Sequence, residues 1–164
     1  MKFRDLDGGF REYDSSLPLV VRIGCYGIVK NSEGKFLMII TNKNSGWEFA
    51  GGGCDAFETL RECVIREVKE ETGFNVKLIS EEPLVVVENY AYSRSRKEYW
   101  KKIDFLYLCE LQSQVQDELQ LDTYFGEDVL EMRWMSIEEL KSSEWIYFFN
   151  QYKEKIIQYL EHSE

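Results

Sequence analysis

One segment of this 164-residue chain constrains its local structure more than any other. Residues 57–72 contain no glycine or proline, so nothing in them interrupts a helix. Apolar residues recur in this segment at a helical spacing, at Phe57, Leu60, Val64 and Val68. Asp55 has the side chain of a good N-cap, Glu58 follows three positions later as in a capping box, and Gly73 is a typical helix stop. The pattern predicts an amphipathic helix that is bounded by Asp55 and Gly73.

The predicted helix carries three glutamates on one face, because Glu67, Glu70 and Glu71 stand at positions i, i+3 and i+4. At about 100° per residue, Glu67 and Glu71 fall almost in line with the apolar stripe, so these carboxylates border the core. Carboxylates so close together repel one another and would destabilise a bare helix. A bound divalent cation removes this conflict, and hard oxygen ligands suit Mg²⁺ or Mn²⁺.

The order of residues around the glutamates is more specific than the cluster alone. Gly52 is followed by five residues, Glu58, seven residues, and then the run Arg66-Glu67-Val68-Lys69-Glu70-Glu71-Thr72-Gly73-Phe74. Gly52 to Phe74 thus resembles the Nudix box, G-x5-E-x7-R-E-U-x-E-E-x-G-U with U aliphatic or aromatic, at every specified position. In a random sequence of average composition, a given window would match this pattern with odds of about one in a billion. An isolated E-x-x-E-E is more often a solvated acidic face, but the complete box favours metal binding.

The resemblance to Nudix hydrolases implies an α/β fold: an α/β/α sandwich with a mixed β-sheet, in which the box forms a catalytic loop-helix-loop. It also implies a hydrolase that depends on Mg²⁺, with Mn²⁺ as a substitute. Water activated by the metal would attack a phosphoanhydride bond of a nucleoside diphosphate that is linked to another group. Nucleoside triphosphates, dinucleoside polyphosphates and nucleotide sugars all remain open as substrates.

The resemblance also implies roles for individual residues. The expected metal ligands are Glu67, Glu70, Glu71 and the backbone carbonyl of Gly51, and the three glutamates are expected to be catalytic. Glu70 is one candidate for the general base. In this family the base can also come from a later loop or strand, where the candidates are Glu127, Asp128 and Glu131.

Four further box residues are expected to have structural roles: Gly52, Glu58, Arg66 and Gly73. Glu58 and Arg66 resemble the pair that locks the loop to the helix in this family. One departure precedes the box, where Trp47-Glu48-Phe49-Ala50 stands in place of the Leu-Pro that many members have. Ala50 lacks the fixed φ of proline, which predicts a looser entry into the loop.

The most basic and aromatic stretch of the chain runs from Tyr90 to Lys97. One hypothesis places it on the substrate side, with Arg94 and Arg96 binding phosphates and Tyr90 stacking on a base. The alternative is a solvated hairpin tip. A tyrosine at this distance from the box resembles the dinucleoside polyphosphate hydrolases, and the proline suggestive of ADP-ribose hydrolases is missing.

Charge and composition exclude several classes of function. A formal net charge of −10 argues against binding a nucleic acid polymer or an anionic membrane, whereas a small nucleotide remains compatible with a metal-loaded site. The one histidine, His162, stands near the end of the sequence, which excludes catalysis by His-dependent triads. Four cysteines without a C-x-x-C pair indicate reduced thiols and a cytoplasmic location.

Two alternatives on the same fold remain. A non-catalytic nucleotide-sensing regulator would not need all three carboxylates. An isomerase of the isopentenyl diphosphate type would need a reactive cysteine and further metal ligands. A chain with a single histidine argues against that alternative.

The length predicts one domain over residues 1–164, with an N-terminal extension at 1–18 and a core at about 19–160. The extension either pairs as an edge strand or covers the substrate side, and a homodimer is a family-based expectation. Strands are predicted at Leu19–Val29, Phe36–Thr41, Trp47–Phe49, Phe74–Leu78, Leu84–Tyr92, Ile103–Leu111 and Val129–Met135. Two helices are predicted after the box helix, a short one opened by a capping box at Ser136 and a final one from Trp145 to Leu160. This order favours a mixed sheet that is covered on both faces.

Overall fold

One nine-stranded sheet connects the elements of the computed structural model, which describes residues 1–6, 8–43, 45–113 and 129–162. Within these residues the strands are β1 (Lys2–Asp5), β2 (Phe10–Glu12), β3 (Leu19–Lys30), β4 (Phe36–Thr41), β5 (Ala50–Gly53), β6 (Val76–Leu78), β7 (Val85–Ser93), β8 (Glu98–Leu111) and β9 (Val129–Met135). The helices are α1 (Leu60–Thr72), α2 (Ile137–Ser142), α3 (Tyr147–Asn150) and α4 (Lys153–Glu161).

The sheet contains both strand orientations. Its order is β2-β1-β7-β8-β3-β4-β9, with β5 paired to β3 and β6 paired to β8. Strands β3 and β8 run parallel from the pair Leu19 and Tyr99 to the pair Lys30 and Glu110. Strands β7 and β8 form an antiparallel hairpin. The mixed sheet predicted from the sequence is therefore confirmed.

Helices cover both faces of this sheet. On one face, Val64 and Val68 of α1 belong to the same buried cluster as Val29 of β3. On the other face, Tyr26 and Ile28 of β3 are buried against the later helices. The helical members of this second cluster include Leu140 of α2, Phe149 of α3 and Ile156 of α4. Because residues alternate between the two faces of a strand, β3 serves both cores, and the predicted α/β/α sandwich is confirmed.

Helix α1 lies unusually close to the sheet at one point. A Cβ atom built on Gly27 of β3 would lie 2.4 Å from Cγ2 of Val68, so only glycine allows this approach. The helix and its carboxylates are thereby held close to β3. None of the helices in the described part of the chain has the length and apolar composition that a membrane span requires.

The N-terminus of α1 differs from the prediction. Thr59 is the N-cap, and it forms a full capping box with Glu62. The prediction of Asp55 as N-cap is wrong, because Glu58 is held by Arg66 and closes a turn ahead of the helix, accepting the Asp55 N–H at 2.7 Å. Phe57, which the periodicity assigned to the apolar stripe, is fully exposed. Gly73 is the C-cap at φ 72°, as predicted.

Three other predicted elements have different bounds. The segment before the box forms only isolated bridges at Trp47 and Glu48, and the strand there is β5. Strand β8 begins at Glu98, five residues before the predicted start at Ile103. The predicted last helix is two helices, α3 and α4, because the backbone leaves the helical region at Tyr152, where φ is −108° and ψ is 1°. The Tyr152 hydroxyl donates to the Glu88 carbonyl of β7 at 2.7 Å.

The N-terminal residues extend the sheet. Strand β1 pairs in parallel with β7, with Arg4 opposite Ala91, and β2 forms the outer edge beside β1. The expectation of edge-strand pairing is confirmed. Leu6, which follows β1, also lines a cleft next to the second hydrophobic core, so the segment covers part of that cleft as well.

Candidate metal and substrate site

A cavity of about 390 Å³ opens between the box loop (residues 50–59, which include β5), helix α1 and the first residue of β9. Three glutamates of α1 line it: Glu67, Glu70 and Glu71. Gly51, Gly52 and Gly53 of β5 form the facing wall, so the structure brings together all four residues that the sequence predicts as metal ligands. The helix places the carboxylates on one face because of their i, i+3, i+4 spacing.

Backbone and side-chain donors fix the three carboxylates. The Gly51 N–H donates to Oε2 of Glu71 at 2.8 Å. Arg66 Nη1 donates to Oε1 of Glu67 at 2.9 Å and to Oε2 of Glu70 at 3.1 Å. One guanidinium thus neutralises part of the repulsion between two of the glutamates, and the strand β5 holds the third.

Glu58 and Arg66 form the lock between loop and helix. Arg66 Nε donates to Oε2 of Glu58 at 3.0 Å and Nη2 donates to Oε1 at 2.5 Å, which is a bidentate pair. Nη2 also donates to the Gly53 carbonyl at 3.2 Å. The hydrogen bonds from Arg66 lower the pKa of Glu58 to about 2, so this carboxylate is ionised over the physiological range.

The electrostatics of the cavity suit a cation. Burial, together with the neighbouring carboxylates Glu48 and Glu67, raises the pKa of Glu71 to about 8, against the opposing effect of the hydrogen bond from the Gly51 N–H. Burial also raises the pKa of Glu67. The carboxylates of such a site repel one another and are poorly solvated, so a bound divalent cation stabilises their ionised forms.

Because Gly52 has no side chain, it leaves space for the carboxylate of Glu67. A Cβ atom on Gly52 would lie 2.6 Å from Oε2 of Glu67, whereas a Cβ atom on Gly53 would meet nothing within 4 Å. The donor set is three carboxylates beside the backbone of the box loop, which is the oxygen-rich environment that Mg²⁺ and Mn²⁺ prefer. The residues present therefore fit a hard divalent cation.

Glu48 is a fourth carboxylate in the cavity, and it was not among the site residues predicted from the sequence. Its side chain is buried, and its Oε1 accepts the Thr41 hydroxyl at 2.7 Å. The signal in the sequence was a charged residue between two aromatic ones, Trp47 and Phe49, in a segment predicted to be extended. Alternation in an extended segment places Glu48 opposite to its neighbours, and here that direction is the cavity.

The cavity continues into a second compartment of about 460 Å³, which shares Tyr26, Lys43 and Glu48 with it. Trp100 and Lys102 of β8 line this compartment together with Phe148 of α3. We call this volume the aromatic compartment. An extended cleft thus leads from the carboxylates to a surface of aromatic rings and lysines.

Lys102 is held in the aromatic compartment by a buried carboxylate. Its Nζ lies 3.3 Å from Oδ2 of Asp104 and 4.6 Å from the centroid of the Phe148 ring. Asp104 is fully buried beside this one cation, neither of its oxygens makes a further hydrogen bond in the described part of the chain, and burial raises its pKa. Gly24 gives it room, because a Cβ atom there would lie 2.5 Å from Oδ1 of Asp104.

Trp100 and Lys102 were not predicted as site residues, because the predicted strand began at Ile103. Asp104 lay inside that predicted strand, as a single acidic residue among apolar ones. Two consecutive lysines, Lys101 and Lys102, make the start of β8 look like a loop. The polar and aromatic residues at alternate positions were the available signal.

The predicted substrate residues lie elsewhere in the structure. Arg94 Nε donates to both carboxylate oxygens of Asp5, at 3.1 and 2.9 Å, and thereby ties the β7–β8 turn to β1. Tyr90 packs edge-on against Phe3 with ring centroids 5.5 Å apart, and Arg96 is exposed in the turn. None of the three lines the two compartments, and their contact with substrate stays a prediction.

The later candidates for the general base are only partly described. Glu127 and Asp128 lie outside the described residues. Glu131 lies in β9, where its Oε1 accepts a hydrogen bond from Arg133 Nη2 at 2.7 Å, and it does not line the cavity.

Comparison with known proteins agrees with this geometry. A family model described as NUDIX domain matches residues 20–160. The chain is 30% identical over 140 residues to Nudix hydrolase 6 of Arabidopsis thaliana, with 81% of this chain and 44% of that protein covered. This chain therefore spans less than half the length of that relative.

Solved structures share the fold at low sequence identity. A MutT protein from Methanosarcina mazei superposes with a TM-score of 0.64 at 22% identity, covering 92% of this chain and 100% of that chain. An ADP-ribose pyrophosphatase from Streptococcus suis superposes with a TM-score of 0.58 at 18% identity, covering 87% of this chain and 92% of that chain. At these identities the likeness establishes the fold.

Proposed function

This chain belongs to the Nudix family, and we propose that it is a Mg²⁺-dependent hydrolase of a phosphoanhydride bond in a nucleoside diphosphate linked to another group. The observation that carries the proposal is the convergence of Glu67, Glu70 and Glu71 on one cavity wall, opposite the glycines of the box loop. The fold shared with an ADP-ribose pyrophosphatase supports a substrate of this class.

The cation would be held by Glu67, Glu70 and Glu71, with backbone oxygen from the Gly51 segment, and Mn²⁺ would substitute for Mg²⁺. When bound, such a cation neutralises the diphosphate and lowers the pKa of the attacking water. The chain itself supplies the fixed positions of the ligands. Arg66 orients Glu67 and Glu70, and the Gly51 N–H orients Glu71.

Glu70 is the general base in this proposal. Its side chain is 31% exposed, against 14% for Glu67, so a water molecule reaches it more readily. Its Oε2 accepts from Arg66 at 3.1 Å, which fixes the carboxylate, and the side chain lines the cavity. A carboxylate that is held in place and open to solvent on one side can accept the proton of the attacking water.

The aromatic compartment would take the group on the far side of the diphosphate. Trp100 and Phe148 offer ring faces to a base, and Lys43 and Lys102 offer cations along the way from the carboxylates. These lysines provide local positive charge in a chain with a net charge of −10. A small anionic substrate can therefore bind despite the overall field.

Carboxamide variants test the proposal. Glu70→Gln and Glu71→Gln should each reduce kcat at least about a hundredfold, roughly 3 kcal/mol of transition-state stabilisation, with folding retained. Glu154→Gln, an exposed glutamate of α4, is the matched control and should hydrolyse at the wild-type rate. The assay follows product release from a panel of nucleoside triphosphates, dinucleoside polyphosphates and nucleotide sugars with Mg²⁺.

The panel also separates the alternative function. If the wild-type protein binds nucleotides tightly and releases no product from any of them, it is a nucleotide-binding regulator on the same fold. Turnover that is unchanged in both Glu70→Gln and Glu71→Gln would place catalysis outside the box carboxylates.

A further inference from the structure

Three cysteines that the proposed hydrolysis does not use converge at one point. Cys25 lies in β3, Cys54 directly after β5, and Cys63 in α1, and their sulfur atoms all lie within 4.8 Å of one another. The Sγ atoms of Cys25 and Cys54 are 3.9 Å apart. Cys25 and Cys63 are fully buried, whereas Cys54 is partly exposed. The sulfurs therefore form a triangle with one corner toward solvent.

The dimensions of this triangle match a metal site. Thiolates that bind Zn²⁺ at about 2.3 Å lie roughly 3.8 to 4.0 Å from one another. The Cys25–Cys54 separation falls in this range, and the longest separation of 4.8 Å or less needs only a small side-chain rotation to reach it. We propose that Cys25, Cys54 and Cys63 bind one thiophilic cation, Zn²⁺, at a site distinct from the carboxylate cavity.

Cys109 shows that core packing does not require this convergence. It is buried in the same hydrophobic cluster, and its sulfur donates to the Tyr107 carbonyl at 3.5 Å. It stands apart from the triangle and serves as a small apolar side chain. The other three come from three separate elements and still place their sulfurs together.

A role as a reactive nucleophile fits the cluster less well. Burial raises the pKa of the Cys54 thiol to about 12, and a protonated thiol is a poor nucleophile. Coordination does not depend on free thiolate, because a bound cation stabilises the sulfur anion directly. Cys54 is also the corner through which an ion can enter and at which water can complete a four-coordinate shell.

The two cation sites would differ in chemistry and cooperate in structure. Oxygen ligands at the glutamates select Mg²⁺, whereas thiolates select Zn²⁺ over Mg²⁺. Cys25 stands opposite Gly52 in the β3–β5 ladder, so an ion on the sulfurs would link β3, the box loop and α1. The expected consequence is a more rigid loop next to the carboxylate cavity.

Cadmium titration tests the site without reference to activity. The reduced 164-residue protein is titrated with Cd²⁺ in excess Mg²⁺, and the ultraviolet thiolate-to-cadmium charge-transfer absorption is recorded, since carboxylates do not produce it. Wild type and Cys109→Ala should saturate at one equivalent, and a large excess of Zn²⁺ should displace Cd²⁺ and reduce the band. Cys54→Ala, at the partly exposed corner, should weaken Cd²⁺ binding at least a hundredfold.

Three results would overturn the proposal: no band in the wild type, an undiminished band in Cys54→Ala, or equal weakening in Cys54→Ala and Cys109→Ala. Circular dichroism checks that each variant is folded. If Cys54→Ala does not fold, Cys54→Ser replaces it, because serine keeps the volume and hydrogen bonding of the thiol and is a poor ligand for Cd²⁺.

Discussion

Asp104 and Lys102 form an ion pair in the cleft whose carboxylate is removed from solvent. The carboxylate is fully buried and the Lys102 side chain is 17% exposed. Removing only the cation of a buried ion pair lowers the free energy of unfolding by several kcal/mol, whereas replacing both charged residues together often leaves it nearly unchanged. This asymmetry makes the pair testable residue by residue.

Lys102→Met should lower the free energy of unfolding by about 3–5 kcal/mol, because it leaves Asp104 buried without a cation. The double variant Lys102→Met/Asp104→Asn should recover most of that loss. Urea denaturation measures both. Lys101→Met is the matched control, since Lys101 pairs with Glu88 at the surface and should change stability by about 1 kcal/mol or less. Equal losses in the single and the double variant would show that the two charges are not coupled.

Glu58 gives the fold a defined pH dependence. Hydrogen bonds from Arg66 lower its pKa in the folded protein to about 2, against an ordinary value of 4.5. Because its folded-state pKa is depressed, ionised Glu58 stabilises the folded protein above pH 4.5. This stabilisation is lost as the pH falls from 4.5 toward about 2. Glu58→Gln should therefore flatten the loss of stability between these values, as measured by urea denaturation at a series of pH values. Parallel curves for the variant and the wild type would show that folding does not depress the pKa of Glu58.

The box loop and helix α1 act as one element, and glycine is needed where they meet. A Cβ atom on Gly52 would lie within 2.8 Å of three atoms of the Glu67 carboxyl group, but one on Gly53 would be free. Gly52→Ala should displace Glu67 and weaken Mn²⁺ binding at least tenfold, as measured by calorimetry, with the fold retained. Gly53→Ala is the control and should bind Mn²⁺ like the wild type. The same affinity in both alanine variants would show that Glu67 has no fixed place in the cation site.

Local patterns predicted α1 better at its end than at its beginning. Gly73 has no competitor as C-cap, and it is the C-cap. At the N-terminus, Asp55 and Thr59 each stand three residues before a glutamate, so two overlapping capping boxes were available. The choice between them depends on Arg66, which binds Glu58 and takes it out of the competition. That contact joins residues eight positions apart, which no capping rule takes into account.

On the scale of the whole molecule, the sequence predicted what periodicity encodes. The mixed sheet and its two covered faces follow from the order of strands and helices and from the resemblance to Nudix hydrolases, and the meeting of the three box glutamates follows from their spacing. The aromatic compartment does not, because it joins Trp100 and Lys102 of β8 with Phe148 of α3, far apart in the sequence. Trp100 and Lys102 also fell outside the predicted strand, because two consecutive lysines interrupt its apolar pattern.

The metal dependence of hydrolysis decides whether the glutamate cavity is a catalytic centre. The protein is dialysed against EDTA, and phosphoanhydride hydrolysis is then followed as Mg²⁺ is added back. We expect no turnover in the chelator and full recovery with Mg²⁺, together with loss of that recovery in Glu70→Gln. Turnover that persists in EDTA, or that Mg²⁺ restores equally in Glu70→Gln, would show that these carboxylates do not carry the reaction.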